Sequence, residues 1–396
     1  MLRILSLSTL FPDSTRPTFG VFVERQTLLL SAQPGVELEV VAPVGLPPGP
    51  LSRLARYRQR CGLPLREEWK GLTVHRPRFP IVPQFGARWN ARFMADALLP
   101  LLVEIRRRFP FDVIDAEFFW PEGPAAMYLS QALGVPFSVI ARGSDIHYWM
   151  RQPPAAKQIL AAAKAADGML AVSEAMRTSM IGHDFPAERI RVHYTSINRE
   201  RFHPRDRAEE KARLGVSGPL LATVGALIPG KGQRDAIAAA ELIPEATLLI
   251  AGHGPDRKAL EALIREKGLE HRVRLLGSLT HDEIAVLLAA ADVMVLPSRS
   301  EGLANVWVEA LVSGTPVVTS DVGGAREVID RPEAGALVPN EPEAIASAVK
   351  AILADPPGKA LVQAAADKFN VEDKLARLLT HFTGIVEAHR GSRRAA

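Results

Sequence analysis

Short apolar runs alternate with helically spaced apolar positions along almost the whole chain. In the first half, runs at Arg3–Ser8, Glu37–Ala42, Asp112–Ala116, Pro136–Ala141 and Met169–Val172 predict strands. Between them, Val21–Leu30, Arg88–Arg108, Pro124–Leu133 and Ala155–Ala166 have the spacing of helices. Several strand runs are apolar without a break, as expected where both faces of a parallel sheet are covered. Residues 196–213 interrupt the rhythm: they are polar and charged, and His203-Pro204 breaks them, which predicts an interdomain connection. A second series follows. Leu220–Val224, Thr247–Ala251, Val273–Leu276, Val293–Leu296 and Pro316–Thr319 predict strands, and Gln233–Leu242, Asp256–Lys267, Asp282–Ala290 and Val306–Val312 predict helices. Such alternation builds βαβ units. The expectation is an α/β chain of two doubly wound, Rossmann-like domains, over 1–195 and 214–370. Beyond Asn370, apolar positions Val371, Leu375, Leu378, Leu379, Phe382, Ile385 and Val386 predict an amphipathic helix, about 371–390. By length it either finishes the second domain or returns to the first.

A length of 396 residues suits two cores better than one. The composition, 47% apolar and 23% charged, is that of a globular protein. No run approaches the ~18–20 apolar residues needed to span a bilayer. The opening Met1–Leu7 is too short and too soon followed by Pro12 and Asp13 to be a secretory leader. It predicts a buried strand and a cytoplasmic protein. The single Cys61 excludes an internal disulfide framework and a cysteine-rich metal site.

The net charge of +4 is unevenly spread. Between Leu51 and Pro110, thirteen Arg or Lys face four Asp or Glu, interleaved with Tyr57, Trp69, Phe79, Phe85, Trp89 and Phe93. This stretch is either a solvated basic face or a surface for anionic lipid or a phosphate-bearing acceptor. No nucleic-acid-binding motif accompanies the charge.

The most specific stretch is Val293–Ile329. A strand ends at Leu296, Pro297-Ser298 turns outward, and the loop Glu301-Gly302-Leu303-Ala304-Asn305 enters a helix that carries Glu309. Ligands in parallel α/β sheets sit outside the carboxyl ends of strands, where helix N-termini accept phosphate. A carboxylate there suits hydrogen bonds from sugar hydroxyls. A Gly-rich turn, Val224 to Gly232, places Lys231 at a helix start after the first strand of the second domain, as a diphosphate clamp would require. Neither an Asp-x-Asp pair nor a metal-ligand cluster occurs, so no metal site is expected.

The stretch resembles glycosyltransferase family four, retaining enzymes of the GT-B fold, marked by two glutamates with the spacing of Glu301 and Glu309. Pro297-Ser298 before and Gly314 to Val318 after match the family context. Leu10-Phe11-Pro12, Phe19 to Glu24, Val41-Ala42-Pro43 and Arg142 to Asp145 resemble a bacterial subgroup that builds cell-surface polysaccharides. The resemblance implies a UDP- or GDP-sugar as cosubstrate, held in an interdomain cleft, with no further cofactor. It implies a hydroxyl acceptor on a glycan or lipid-linked glycan, and a terminal helix that crosses back to the first domain. A place on the inner face of the plasma membrane would fit the basic stretch.

Residue by residue, Glu309 inherits the ribose hydroxyls and Glu301 the transferred sugar. Gly302, Leu303, Ala304, Asn305 and Val306 would offer backbone amides to sugar and diphosphate, and Lys231 a cation to the leaving group. Gly225, Gly252, Gly254 and Leu279 fall in the family's donor loops, with Leu279 beside the base. In the first domain Gly20, Arg142 and Asp145 would line the site. Departures are Ala226 where Arg is usual, His253 for Asp, Arg142 for His, a single glycine at Gly20, and Thr195 to Asn198 in a hinge motif. Arg142 cannot be a base at neutral pH but can stabilise the leaving phosphate. Glu117, at another strand end, is either a base for the acceptor or a rim carboxylate. Rival readings are a catalytically weak sugar-nucleotide-binding protein and a GT-B epimerase or hydrolase.

Overall fold

A computed structural model describes residues 1–17, 19–83 and 85–395. The chain divides into two compact units, 1–195 with 372–396 and 196–371.

The first unit is built on an eight-stranded sheet. From one edge its order is Ile190–Val192, Gly168–Ala171, Phe137–Ala141, Val113–Ala116, Leu2–Leu7, Val36–Val41, Leu72–His75 and Arg66–Trp69. All neighbours are parallel except the last pair, a hairpin. The central strands are buried at every residue from Val113 to Ala116 and from Phe137 to Ala141. Such strands need covering on both faces, which accounts for their being apolar at every position but Asp115 and Ser138. Helices Val21–Ser31, Asn90–Arg108, Glu122–Leu133 and Pro153–Ala165 join them.

The second unit holds a six-stranded parallel sheet: Val273–Gly277, Thr247–Ala251, Leu220–Val224, Val293–Leu296, Val317–Thr319 and Gly335–Leu337. The chain order reverses beside the strand Leu220–Val224, the switch point at which such sheets bind ligands. Ile237, Leu248, Leu260, Val295 and Ile345 belong to the core on one face.

The segment expected as a connection, 196–213, is more ordered than its polarity suggests. It belongs to the second unit and contains the helix Arg207–Arg213, capped by Asp206, whose carboxylate accepts from the Glu209 amide. Lys211 pairs with Asp292 at 2.5 Å and holds that helix to the sheet. The strands that the sequence did not predict are short: Val44–Leu46, Arg66–Trp69, Leu72–His75, Arg78–Pro80, Ile190–Val192 and Gly335–Leu337.

The terminal helix spans Val371–Ala395. Leu378, Phe382, Ile385 and Val386 are buried. His381 Nε2 lies 2.8 Å from Ser138 Oγ, and Lys374 donates to the Thr195 carbonyl at 3.0 Å. A Cβ on Gly168 would stand 2.6 Å from both His381 Cε1 and Ile385 Cδ1, so the helix uses the missing side chain to approach the strand. Of the two placements open to it, the helix takes the one on the first unit.

Candidate active site

In the second unit, the loops after successive strands are locked together. Leu227 N donates to His253 O at 3.0 Å, and Gly252 N donates to Gly277 O at 2.8 Å. A Cβ on Gly252 would collide with the Gly225 carbonyl, and one on Gly254 with that of Leu227. Those two glycines therefore serve close backbone packing. Leu279, half-buried, precedes Thr280, which caps the helix His281–Ala290.

Lys231 is fixed from both sides. Gly230 O accepts from Arg299 N at 2.7 Å, while Gly232, at φ 76°, leaves no room for a Cβ beside the Pro297 carbonyl. The result is an ion pair across the rim, with Lys231 Nζ 2.5 Å from Glu301 Oε1. Gly302 O accepts from Gly324 N at 2.8 Å, which shapes the loop that carries Glu301. Leu303 and Ala304 are buried, and the helix Asn305–Val312 starts with no side chain capping its N-terminus. Its first amides, Asn305 and Val306 among them, are oriented for an anion. Glu309 is buried in the same helix.

Buried polar side-chain atoms normally find a partner. Among the described residues, Ser298 Oγ, Asn305 Oδ1, Trp307 Nε1 and Ser320 Oγ have none, and all four belong to the segments that follow two neighbouring strands. A rim with a cation, a carboxylate and an uncapped helix suits a polar, anionic ligand. No cluster of three or more His, Cys, Asp or Glu among the described residues is arranged to hold a metal ion.

In the first unit the structure joins Arg142, Glu117 and Asp145 in one network. Arg142 is half-buried, with its side chain largely covered, and pairs with Glu117; its Nε donates to the Glu117 carbonyl at 2.8 Å and its guanidinium lies 4.9 Å from the Phe22 ring. It is therefore committed to a protein carboxylate. Glu117, 1% exposed, is neither a rim group nor a free base: Gln26 Nε2 also donates to it at 2.8 Å. Asp145 is fully buried and accepts from the amides of Phe119, Arg142 and Gly143. Burial raises its pKa, and those amides oppose the rise. Asp145 positions the loop that presents Arg142. Gly20 takes φ 68° at the start of its helix, where a Cβ would collide with the Leu10 carbonyl.

The network extends to residues that the sequence analysis missed. His193 Nε2 lies 3.1 Å from Gln26 Oε1, and burial, then the charge of Arg142, depresses its pKa to about 3. Asp115, beside Glu117, has neither oxygen paired; burial and the Glu117 charge push its pKa well up. A proton on Asp115 then supplies the hydrogen bond that two facing carboxylates lack. Glu122, fully buried, accepts from Thr9 N and Oγ1 at 2.8 and 2.5 Å, and burial pushes its pKa up to about 7. Strand-end position was the available signal for Asp115. Nothing in spacing joins Gln26 to His193.

The basic stretch also divides. Tyr57, Phe79 and Phe109 are buried, Trp69 donates to Glu24, and only Phe85 and Trp89 of its seven aromatics are largely exposed. No helix among the described residues is long and apolar enough to cross a membrane.

The family model described as Glycosyltransferase Family 4 matches residues 31–201, and that of Glycosyl transferases group 1 matches 204–368. The putative teichuronic acid biosynthesis glycosyltransferase TuaC of Bacillus subtilis is 30% identical over 359 residues, covering 88% of each chain. The 2-deoxystreptamine glucosyltransferase of Streptomyces kanamyceticus is 30% identical over 365 residues, 83% of this chain and 93% of that one. In fold, the chain is similar to Anabaena HepE solved with UDP and glucose, at a TM-score of 0.73 and 21% identity over 97% of this chain and 100% of that one. The two parallel-sheet units have the GT-B fold, and the chain is a glycosyltransferase belonging to glycosyltransferase family four.

Proposed function

We propose that this protein is a retaining, metal-independent hexosyltransferase that moves a sugar from a UDP- or GDP-sugar to a hydroxyl of a glycan or lipid-linked glycan in cell-surface polysaccharide synthesis. The observation that carries this reading is the second unit's rim, where Lys231 pairs with Glu301 and the helix at Asn305 begins with no side chain on its first amides. Glu309 takes the ribose hydroxyls, Glu301 the transferred sugar, and the helix N-terminus with Lys231 the diphosphate. The acceptor hydroxyl attacks from the face that the diphosphate leaves, and the departing phosphate takes the proton, so the anomeric configuration is retained. The TuaC likeness, over 88% of each chain, supports the polysaccharide assignment, and HepE with UDP supports the nucleotide class.

The experiment is product analysis with UDP- and GDP-sugars, with and without glycan acceptors, and the product's anomeric configuration read by proton NMR. Nucleoside diphosphate released only when acceptor is present, with a retained linkage, supports the reading. Release without acceptor, or an epimerised donor, replaces it with the hydrolase or epimerase alternative. Donor binding without any turnover leaves a sugar-nucleotide-binding protein. Exposed Phe85 and Trp89 beside the basic stretch extend the proposal to peripheral contact with anionic membrane. Vesicle binding should then weaken as salt rises.

A further inference from the structure

At the carboxyl edge of the first sheet, the connections after the strands Leu2–Leu7, Val36–Val41, Leu72–His75 and Val113–Ala116 surround a cavity of about 230 Å3. A single water needs only about 10–15 Å3 by the same measure, so the space is of ligand size. Phe79, Trp120 and Trp149 give it apolar walls, and Asn90, Arg16 and Arg60 give it polar ones. The Trp120 and Trp149 rings are 5.5 Å apart and tilted by 39°. An indole face is the electron-rich apolar surface against which the C–H face of a pyranose packs.

Three guanidinium groups reach this cavity, and two are already neutralised. Arg16 pairs with Asp13 at 2.8 Å, and buried Arg76 pairs with Glu67. Arg60, on the helix Ala55–Cys61, is different. Among the described residues its guanidinium has no hydrogen bond or ion pair, and its recorded contact is the Tyr57 ring at 5.3 Å. Burial and the like charge of Arg16 both disfavour its protonated form, which the Asp13 charge offsets only in part. An oxyanion beside Arg60 offsets that penalty and accepts charge-assisted hydrogen bonds from it.

We propose that this cavity holds the acceptor, and that Arg60 binds an oxyanion on it, a uronate carboxylate or a phosphate, while the tryptophans pack on its sugar ring. Only the word acceptor rests on the glycosyl-transfer reading above; the oxyanion site stands on the cavity itself.

The test is titration of the full chain, followed by tryptophan fluorescence, with methyl glucuronide, a methyl glucoside phosphate and neutral methyl glucoside. At least one anionic probe should bind about tenfold tighter than the neutral one, the value of a hydrogen bond to a charged group. The two anionic arms separate carboxylate from phosphate. Arg60→Gln should abolish the preference and Arg60→Lys should keep part of it. Arg92→Gln, which removes an exposed cation outside the cavity, should leave it intact. Equal binding of charged and neutral probes, no binding at millimolar concentration, or a preference that survives Arg60→Gln overturns the proposal. In transfer assays with a charged acceptor, Arg60→Gln should raise KM and leave kcat near the unaltered value. Arg60-dependent binding of anionic probes without transfer to any acceptor would sink the glycosyl-transfer reading and leave an oxyanion site.

Discussion

Lys231 Nζ and Glu301 Oε1 lie 2.5 Å apart, so the cation assigned to the diphosphate is engaged by the carboxylate assigned to the sugar. Glu301→Ala should therefore leave nucleoside diphosphate affinity unchanged or tighten it, because Lys231 is released, while turnover collapses. Glu309→Ala should weaken the same ligand about ten- to a hundredfold, since a hydrogen bond to a charged group contributes about 1.5–3 kcal/mol. Calorimetry with UDP and GDP on folded variants reads both. Equal losses in the two variants would reassign Glu301 to the ribose and phosphate.

Chelation should have little effect on transfer. In the proposed mechanism, Lys231 and the amides at the start of the helix Asn305–Val312 would supply the positive field that a divalent ion provides elsewhere. Rates with excess EDTA should match rates without it, and Lys231→Ala should cost more than chelation. Abolition by EDTA with recovery in magnesium or manganese would refute this account of the leaving group.

Glu122 should make stability depend on pH. Folded, it keeps its proton up to about pH 7, whereas the unfolded carboxyl loses it near 4.5. Between these values the folded state binds more protons, so this contribution is complete below pH 4.5 and is lost as pH rises through 7. The span corresponds to on the order of 3 kcal/mol. Buried His193 and His381, with pKa values near 3 and 4, contribute with the opposite sign below pH 6.5, so wild-type melting alone mixes these contributions. The difference between wild type and Glu122→Gln isolates the carboxyl. The glutamine variant should gain relative stability from pH 5 to 8, and a constant difference in Tm would contradict the assignment.

Gly168→Val should loosen the terminal helix. Its side chain would enter the space of His381 and Ile385, and overpacking of this kind costs about 1–3 kcal/mol. Hydrogen exchange should speed up from residue 374 to 386 and change little in the second unit. Uniform loss of protection would mean that the whole chain, not the docked helix, had been destabilised.

The residues proposed for the donor could be singled out from the sequence because they lie close together along it. Glu301, Gly302, Asn305 and Glu309 lie within one loop and one helix, and runs such as Leu248–Ala251 and Val293–Leu296 are apolar without a break. The first unit's chemistry is not local. Arg142 meets Glu117 across two strand ends, and Gln26 meets His193 across the sheet, so neither partner is written near the other. The basic stretch hid its content for another reason. Composition counts charges, but only packing decides that Phe79 turns inward while Phe85 stays outside. Short strands such as Val44–Leu46 carry too few residues for a period to emerge.

Because the helix Val371–Ala395 docks on the strand Gly168–Ala171, the second unit is in effect an insertion within the first. During translation, residues 1–195 emerge early, yet the strip that Ile385 covers beside Gly168 stays bare until the helix is made. At about 5–20 residues per second, the wait is roughly ten to thirty-five seconds. Throughout it the nascent first unit carries an uncovered apolar strip, while the second unit, whose sequence is continuous, can fold to completion. Ribosome-bound chains stalled after the second unit should therefore engage chaperones through their N-terminal half, and assembly is finished by the last helix rather than the first sheet.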